Sequence, residues 1–175
     1  MKVIFLDIDG VLNSDAWYHY TRALIKQNKE NMFKNVNESD EHIQYLQSQI
    51  DDRAVINLNY LLKNTDAKIV LSSSWRSNNS EEMKILEDVL RYKGLEFTGF
   101  LDITPYSLNR DRGEEIAEWL TINCTTYDIE SYCILDDDIF DILPEQYENF
   151  IHVDRNFGLS YIEANKAFDI LQKRI

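Results

Sequence analysis

The chain has 175 residues, 44% hydrophobic and 28% charged, which excludes wholesale disorder and suits one domain with a real core. Its formal charge of −13 argues against a broad nucleic-acid surface, because polyanions would be repelled, yet leaves room for a local basic pocket for one phosphate. No run approaches the roughly 18 apolar residues of a membrane span, which excludes a membrane protein built from helices.

In chain order, Val3–Leu6 is an apolar run of strand type that breaks at Asp7, too early for a signal peptide. Asp7 and Asp9 follow it one residue apart, then Gly10. From 14 to 50 the chain is polar and aromatic, with Trp17, Tyr18, Tyr20 and Phe33, and is too long for an ordinary loop. It is expected as a mostly helical insertion, either a small cap or a flap. Ala54, Val55, Leu58, Leu61 and Leu62 then fall at helical spacing behind Asp51 and Asp52, which can cap.

Lys68–Leu71 is the second strand-like run, followed by Ser72, Ser73, Ser74, Trp75 and Arg76. Ile85, Leu86, Val89 and Leu90 mark a helix closed by Gly94. Another carries Ile116, Ala117, Trp119 and Leu120, with Arg110 and Arg112 at its start and Asp111 and Glu114 spaced as a capping box. Tyr132–Leu135 leads into Asp136, Asp137 and Asp138. Phe150–Val153 precedes a last helix in "SYIEANKAFDIL", with Ser160 and Glu163 as its capping box. Near-continuous apolar runs alternating with helices imply a doubly wound α/β fold whose strands are buried on both faces. Cys124 and Cys133 lack metal-ligand spacing and are expected as isolated core thiols in a reducing compartment. The expected location is cytoplasmic.

Open α/β sheets bind ligands beyond the carboxyl ends of their strands. There this sequence places Asp7 and Asp9, the serine run, and Asp136 with Asp137, while Arg110 and Arg112 stand at a helix start. Carboxylates converging with hydroxyls and cations describe a hard-cation site with phosphate-binding partners. Each piece alone has a plainer meaning: D-x-D-G a turn, "SSSWR" a loop leading into a helix, "DDD" a solvated turn. Arg112 is more telling, since a cation in a first helical turn opposes the helix dipole, although Glu114 and Glu115 compensate it.

In their order these pieces resemble the four motifs of the haloacid dehalogenase (HAD) superfamily of phosphohydrolases: "DIDGVLN", Ser72 after "KIVL", Arg112 in "RDRGEEI", and "ILDDD". Within it, "LSSSWR" and "VDRNFGLS" are similar to small phosphatase domains linked to nucleic-acid repair, including the phosphatase half of polynucleotide kinase-phosphatases. The resemblance implies a Rossmann-like, three-layer α/β fold with a central, mainly parallel sheet, a single domain over 1–175, and the insertion after strand one. It implies Asp7 as nucleophile, Asp9 as acid and base, Ser72 and Arg112 on the phosphoryl group, and Mg²⁺ held by Asp7, the Asp9 carbonyl and a carboxylate of Asp136 or Asp137. The family usually has Lys in its third motif, so Arg110 and Arg112 compete for that place, and Val11 stands where Thr is common. The implied substrate is a small phosphorylated molecule or a phosphorylated nucleic-acid end. A receiver-like module, a noncatalytic binding domain and a phosphotransferase are the competing readings.

Overall fold

The structure, a computed structural model, describes residues 1–32, 38–106 and 111–173. Strand β1 (Lys2–Leu6) explains the unbroken apolar run that begins the chain, because its alternate side chains enter two different cores. Ile4 and Leu6 join a cluster with Leu58, Leu90 and Leu171, whereas Val3 and Phe5 join Ile116 and Trp119 on the opposite face. Full burial of each such side chain is worth about 1.5–3 kcal/mol, so neither face tolerates a polar alternation.

The segment after β1 forms two helices, α1 (Asp15–Met32) and α2 (Glu38–Gln49). The Trp17 indole N–H donates to the Ser48 carbonyl at 2.9 Å, tying the start of α1 to the end of α2. Ile43 and Leu46 of α2 pack on the main core. Phe33 lies outside the described residues.

Then come α3 (Asp52–Thr65), β2 (Lys68–Leu71), α4 (Ser80–Tyr92), β3 (Asp102–Ile103), α5 (Arg112–Asn123), β4 (Ser131–Asp136), a 3-10 helix (Pro144–Asn149), β5 (Phe150–His152) and α6 (Tyr161–Gln172). The sheet order is β3-β2-β1-β4-β5 and every pairing is parallel. Residues of α3, α4 and α6 line one core and those of α5 the other, giving three layers. Leu6 registers with both Leu71 and Leu135, so three strand ends finish level. Asp7 and Ser72 follow β1 and β2 directly and Asp136 closes β4, beside the point where the chain changes direction across the sheet.

Asp51 caps α3 by accepting from the Arg53 backbone N–H at 2.9 Å, and the Ser160–Glu163 capping box forms at α6. At α5 the expected Asp111–Glu114 box does not form: the Asp111 backbone carbonyl, not its side chain, takes the Glu114 N–H. Gly113 explains how that helix is seated instead. Its N–H donates to the Asp141 carbonyl at 2.7 Å, its carbonyl accepts from Gln146, and a Cβ there would lie 2.6 Å from the Leu143 nitrogen. The short β3 was not expected, and Cys124, expected in the core, is exposed at the end of α5 while Cys133 is buried in β4.

Candidate active site

Three carboxylates meet at the level strand ends. Asp7 leaves β1 with its backbone N–H on the Leu135 carbonyl at 3.0 Å, and Asp136 is the last residue of β4. Asp137 lies over the turn that follows Asp9. That turn depends on Gly10, whose φ is +75° and where a Cβ would fall 2.3 Å from the Asp137 Cγ. Oxygens of Asp7, Asp136 and Asp137 lie within 4.8 Å of one another, the grouping among the described residues with the spacing of a metal site.

Burial and mutual repulsion shape this cluster. Asp7 is 5% exposed, and burial lifts its carboxyl to about 6, against the lowering pull of Arg112. Burial, and next the charge of Asp7, raise Asp136 to about 7. Oδ1 of Asp7 is buried with no hydrogen-bond partner. An acceptor left dry in this way costs free energy unless something supplies positive charge. Hard oxygen donors, like charge and an orphaned oxygen together fit a divalent cation.

Arg112 opens α5 and supplies part of the compensation. Its Nε lies 3.3 Å from Asp136, its Nη2 lies 3.8 Å from Asp7, and its Nη1 donates to the Ser72 carbonyl. Behind it, a buried ion pair between Arg76 and Glu115 at 2.6 Å joins the loop after β2 to the first turn of α5. Arg76 also donates to the Ser73 carbonyl at 3.0 Å, so serine loop and helix start are held as one unit.

Asp9 stands apart from the cluster. Its Oδ1 accepts from Asn13 Nδ2 at 2.8 Å, and its Oδ2 accepts from the Trp75 indole N–H at 3.0 Å and the Ser74 hydroxyl at 3.2 Å. The carboxylate therefore faces proton donors rather than the other acids, which suits a group expected to offer a metal only its backbone carbonyl.

Asp7, Asp9, Arg112, Asp136 and Asp137 thus line one cleft of about 430 Å³. Ser72 sits beneath it, 1% exposed, accepting from the Thr104 hydroxyl at 3.3 Å, while Ser74 lines the cleft itself. Arg110 lies outside the described residues. Among the lining residues, Phe140, Asp141 and Arg155 were not singled out by the sequence. Arg155, within "VDRNFGLS", pairs with Asp137 at 3.0 Å and Asp15 at 3.6 Å, and Phe140 is 90% exposed at the rim. The signal for Phe140 in the run "DDDIF" is an aromatic placed four residues beyond the acidic end of β4.

No helix among the described residues is long and apolar enough to cross a membrane. A family profile described as HAD domain in Swiss Army Knife RNA repair proteins matches residues 3–164. No curated protein and no solved structure matches the chain.

Proposed function

The chain belongs to the HAD domains of Swiss Army Knife RNA repair proteins, and from that premise we propose that it is a Mg²⁺-dependent phosphomonoesterase acting on the terminal phosphates of nucleic-acid ends. The observation that carries this reading is the contrast in surroundings between two neighbouring aspartates. Asp7 is buried in an acidic cluster with an oxygen that accepts no hydrogen bond, while Asp9 is held by donors at the same cleft.

In the first step a carboxylate oxygen of Asp7 attacks phosphorus and the bond to the leaving oxygen breaks, giving an aspartyl-phosphate. Asp9 delivers its proton to that leaving oxygen, then removes a proton from the water that attacks phosphorus in the second step. Phosphate departs, and both carboxyl groups return to their starting states. Arg112, between Asp7 and Asp136, adds positive charge where the transition state gains negative charge. The Ser72 hydroxyl accepts from Thr104, which leaves its own proton for a phosphoryl oxygen. Asp7, Asp136, Asp137 and the Asp9 backbone carbonyl would hold Mg²⁺, whose charge relieves the repulsion of the cluster and screens an incoming phosphate.

The family supports nucleic-acid ends as substrates, and Phe140 and Arg155 at the mouth suit them. An exposed ring stacks on a base and a guanidinium meets an adjacent backbone phosphate. In this reading α1 and α2 serve as a small cap or flap over a single domain. The test is a phosphate-release screen with Mg²⁺ over nucleotides, sugar phosphates, phosphoamino acids and 3′-phosphorylated oligonucleotides. Release from oligonucleotide ends that EDTA abolishes is the expected result. Stable phosphorylation without release would favour a receiver-like module, and inertness toward every phosphomonoester would contradict the proposal.

A further inference from the structure

The donors around Asp9 differ in one chemical respect. An indole N–H and a carboxamide NH₂ can only donate, whereas a serine hydroxyl can donate or accept. One donor-only group sits on each oxygen of Asp9, Asn13 on Oδ1 and Trp75 on Oδ2. Asn13 is itself oriented, because its Oδ1 accepts the Gly10 backbone N–H at 2.8 Å and so turns its NH₂ toward Asp9. Trp75 is held from two sides. Its backbone N–H donates to the Ser73 hydroxyl at 3.3 Å, and its ring lines a cleft of about 260 Å³ with His42 and Leu46 of α2 and Ile85 and Leu86 of α4. Of these three donors among the described residues, Ser74, which lines the cleft shared with Asp9, is the one that can reverse its hydrogen bond when Asp9 gains a proton.

From this arrangement we infer that Trp75 and Asn13 are positioning residues that clamp the two oxygens of Asp9 and aim its proton at the leaving group, a conclusion that rests on the phosphohydrolase reading. The clamp fixes the plane of the carboxylate and, because it favours the ionised form, helps the carboxyl give up its proton. Trp75 also carries the packing between α2 and α4 to the acid, so the helices after β1 bear on the chemistry through one indole ring. Misaiming an acid slows the step that needs it and leaves binding of the phosphate intact.

The experiment compares wild type, Trp75→Phe, Asp9→Asn and the double variant on an alkyl phosphate and on p-nitrophenyl phosphate, with saturating Mg²⁺. Phenylalanine keeps an aromatic ring in the α2–α4 cleft and deletes the indole N–H. Trp75→Phe should lower kcat about tenfold on the alkyl ester, which needs protonation, and less than about threefold on the activated aryl ester, with KM little changed. Added to Asp9→Asn it should cost nothing further, because the group it aims is gone. Equal losses on both substrates, additive losses in the double variant, or wild-type rates in Trp75→Phe would overturn the clamp. Loss of all turnover in the wild type would instead refute the phosphohydrolase reading. The clamp is then judged from the indole proton–nitrogen signal of Trp75, identified by its disappearance in Trp75→Phe. That signal should exchange slowly and shift in Asp9→Ala, and a signal indifferent to Asp9→Ala would overturn it.

Discussion

Asp7 and Asp9 follow the same strand one residue apart and end in opposite environments. Asp7 is buried among like charges, lifted to about 6, with one oxygen that accepts no hydrogen bond and has only Arg112 at 3.8 Å; Asp9 is more exposed and accepts three hydrogen bonds. The difference shows how one residue type meets two surroundings at one strand exit, and under the proposed function the buried carboxylate would serve a cation and phosphorus while the hydrogen-bonded one would serve protons. Exchanging or deleting the two should therefore produce different failures.

The largest effect is expected from Asp7→Asn, which removes the attacking oxyanion. Steady-state phosphate release should fall by at least about 10³-fold with every substrate, whatever its leaving group. Asp9→Asn should separate substrates instead, losing about 10²-fold on alkyl esters and less than about tenfold in the first step on an aryl ester. Pre-steady-state burst kinetics read that step directly, and equal losses on both esters would erase the distinction between the two aspartates.

Arg112 tests the Asp7 side of the comparison from its counter-charge. Arg112→Ala should lower kcat/KM more than tenfold, about 1.4 kcal/mol of transition-state stabilisation, and Arg112→Lys should restore part of it. Because the guanidinium also offsets Asp7 and Asp136, the metal-free variant should melt lower than wild type at pH 8, with Mg²⁺ narrowing the gap. A melting point equal to wild type without metal would remove Arg112 from the electrostatic balance.

The smallest expected effect is on the pH dependence of stability. Asp7 and Asp136 titrate near 6 and 7 in the folded protein against an ordinary value of 3.8, so the folded chain binds more protons between these limits. Their contribution is fully present below pH 3.8 and is lost as pH rises through 6 and 7. Calorimetry of the metal-free protein should show Tm falling between pH 5 and 8. Asp136→Asn or saturating Mg²⁺ should flatten that fall by at least about 2–4 °C, the equivalent of 1 kcal/mol in a chain of this size. A slope unchanged by either would deny that the cluster is strained.

Much of the frame of this site was legible from short patterns. Unbroken apolar runs marked β1, β2, β4 and β5, the first and third of them buried almost throughout, and the residues directly after the β1 and β4 runs are the acids of the cluster. What the pattern could not carry is long-range. Trp75 reaches Asp9 across 66 positions, brought there only by the pairing of β1 with β2, and Arg155 reaches Asp137 through β5. Nor could three consecutive serines be ranked: Ser72 and Ser73 turn inward at the strand end and Ser74 faces the cleft, a matter of backbone direction rather than residue type. The two-residue β3 is too short to show any alternation, and the Asp111–Glu114 spacing fits a capping box that the seating of Gly113 against the 3-10 helix leaves unmade.

The most direct measurement is covalent capture of the phosphoryl group on Asp7. Asp9→Asn protein, mixed with an aryl phosphate and Mg²⁺, should load quickly and hydrolyse slowly, since the first step needs little acid and the second has lost its base. Acid quenching, borohydride reduction and peptide mass spectrometry should then find Asp7 converted to homoserine, and the conversion should be absent without substrate. Reduction at any other residue, or phosphate release with no covalent species at any quench time, would contradict the assignment of Asp7 as nucleophile.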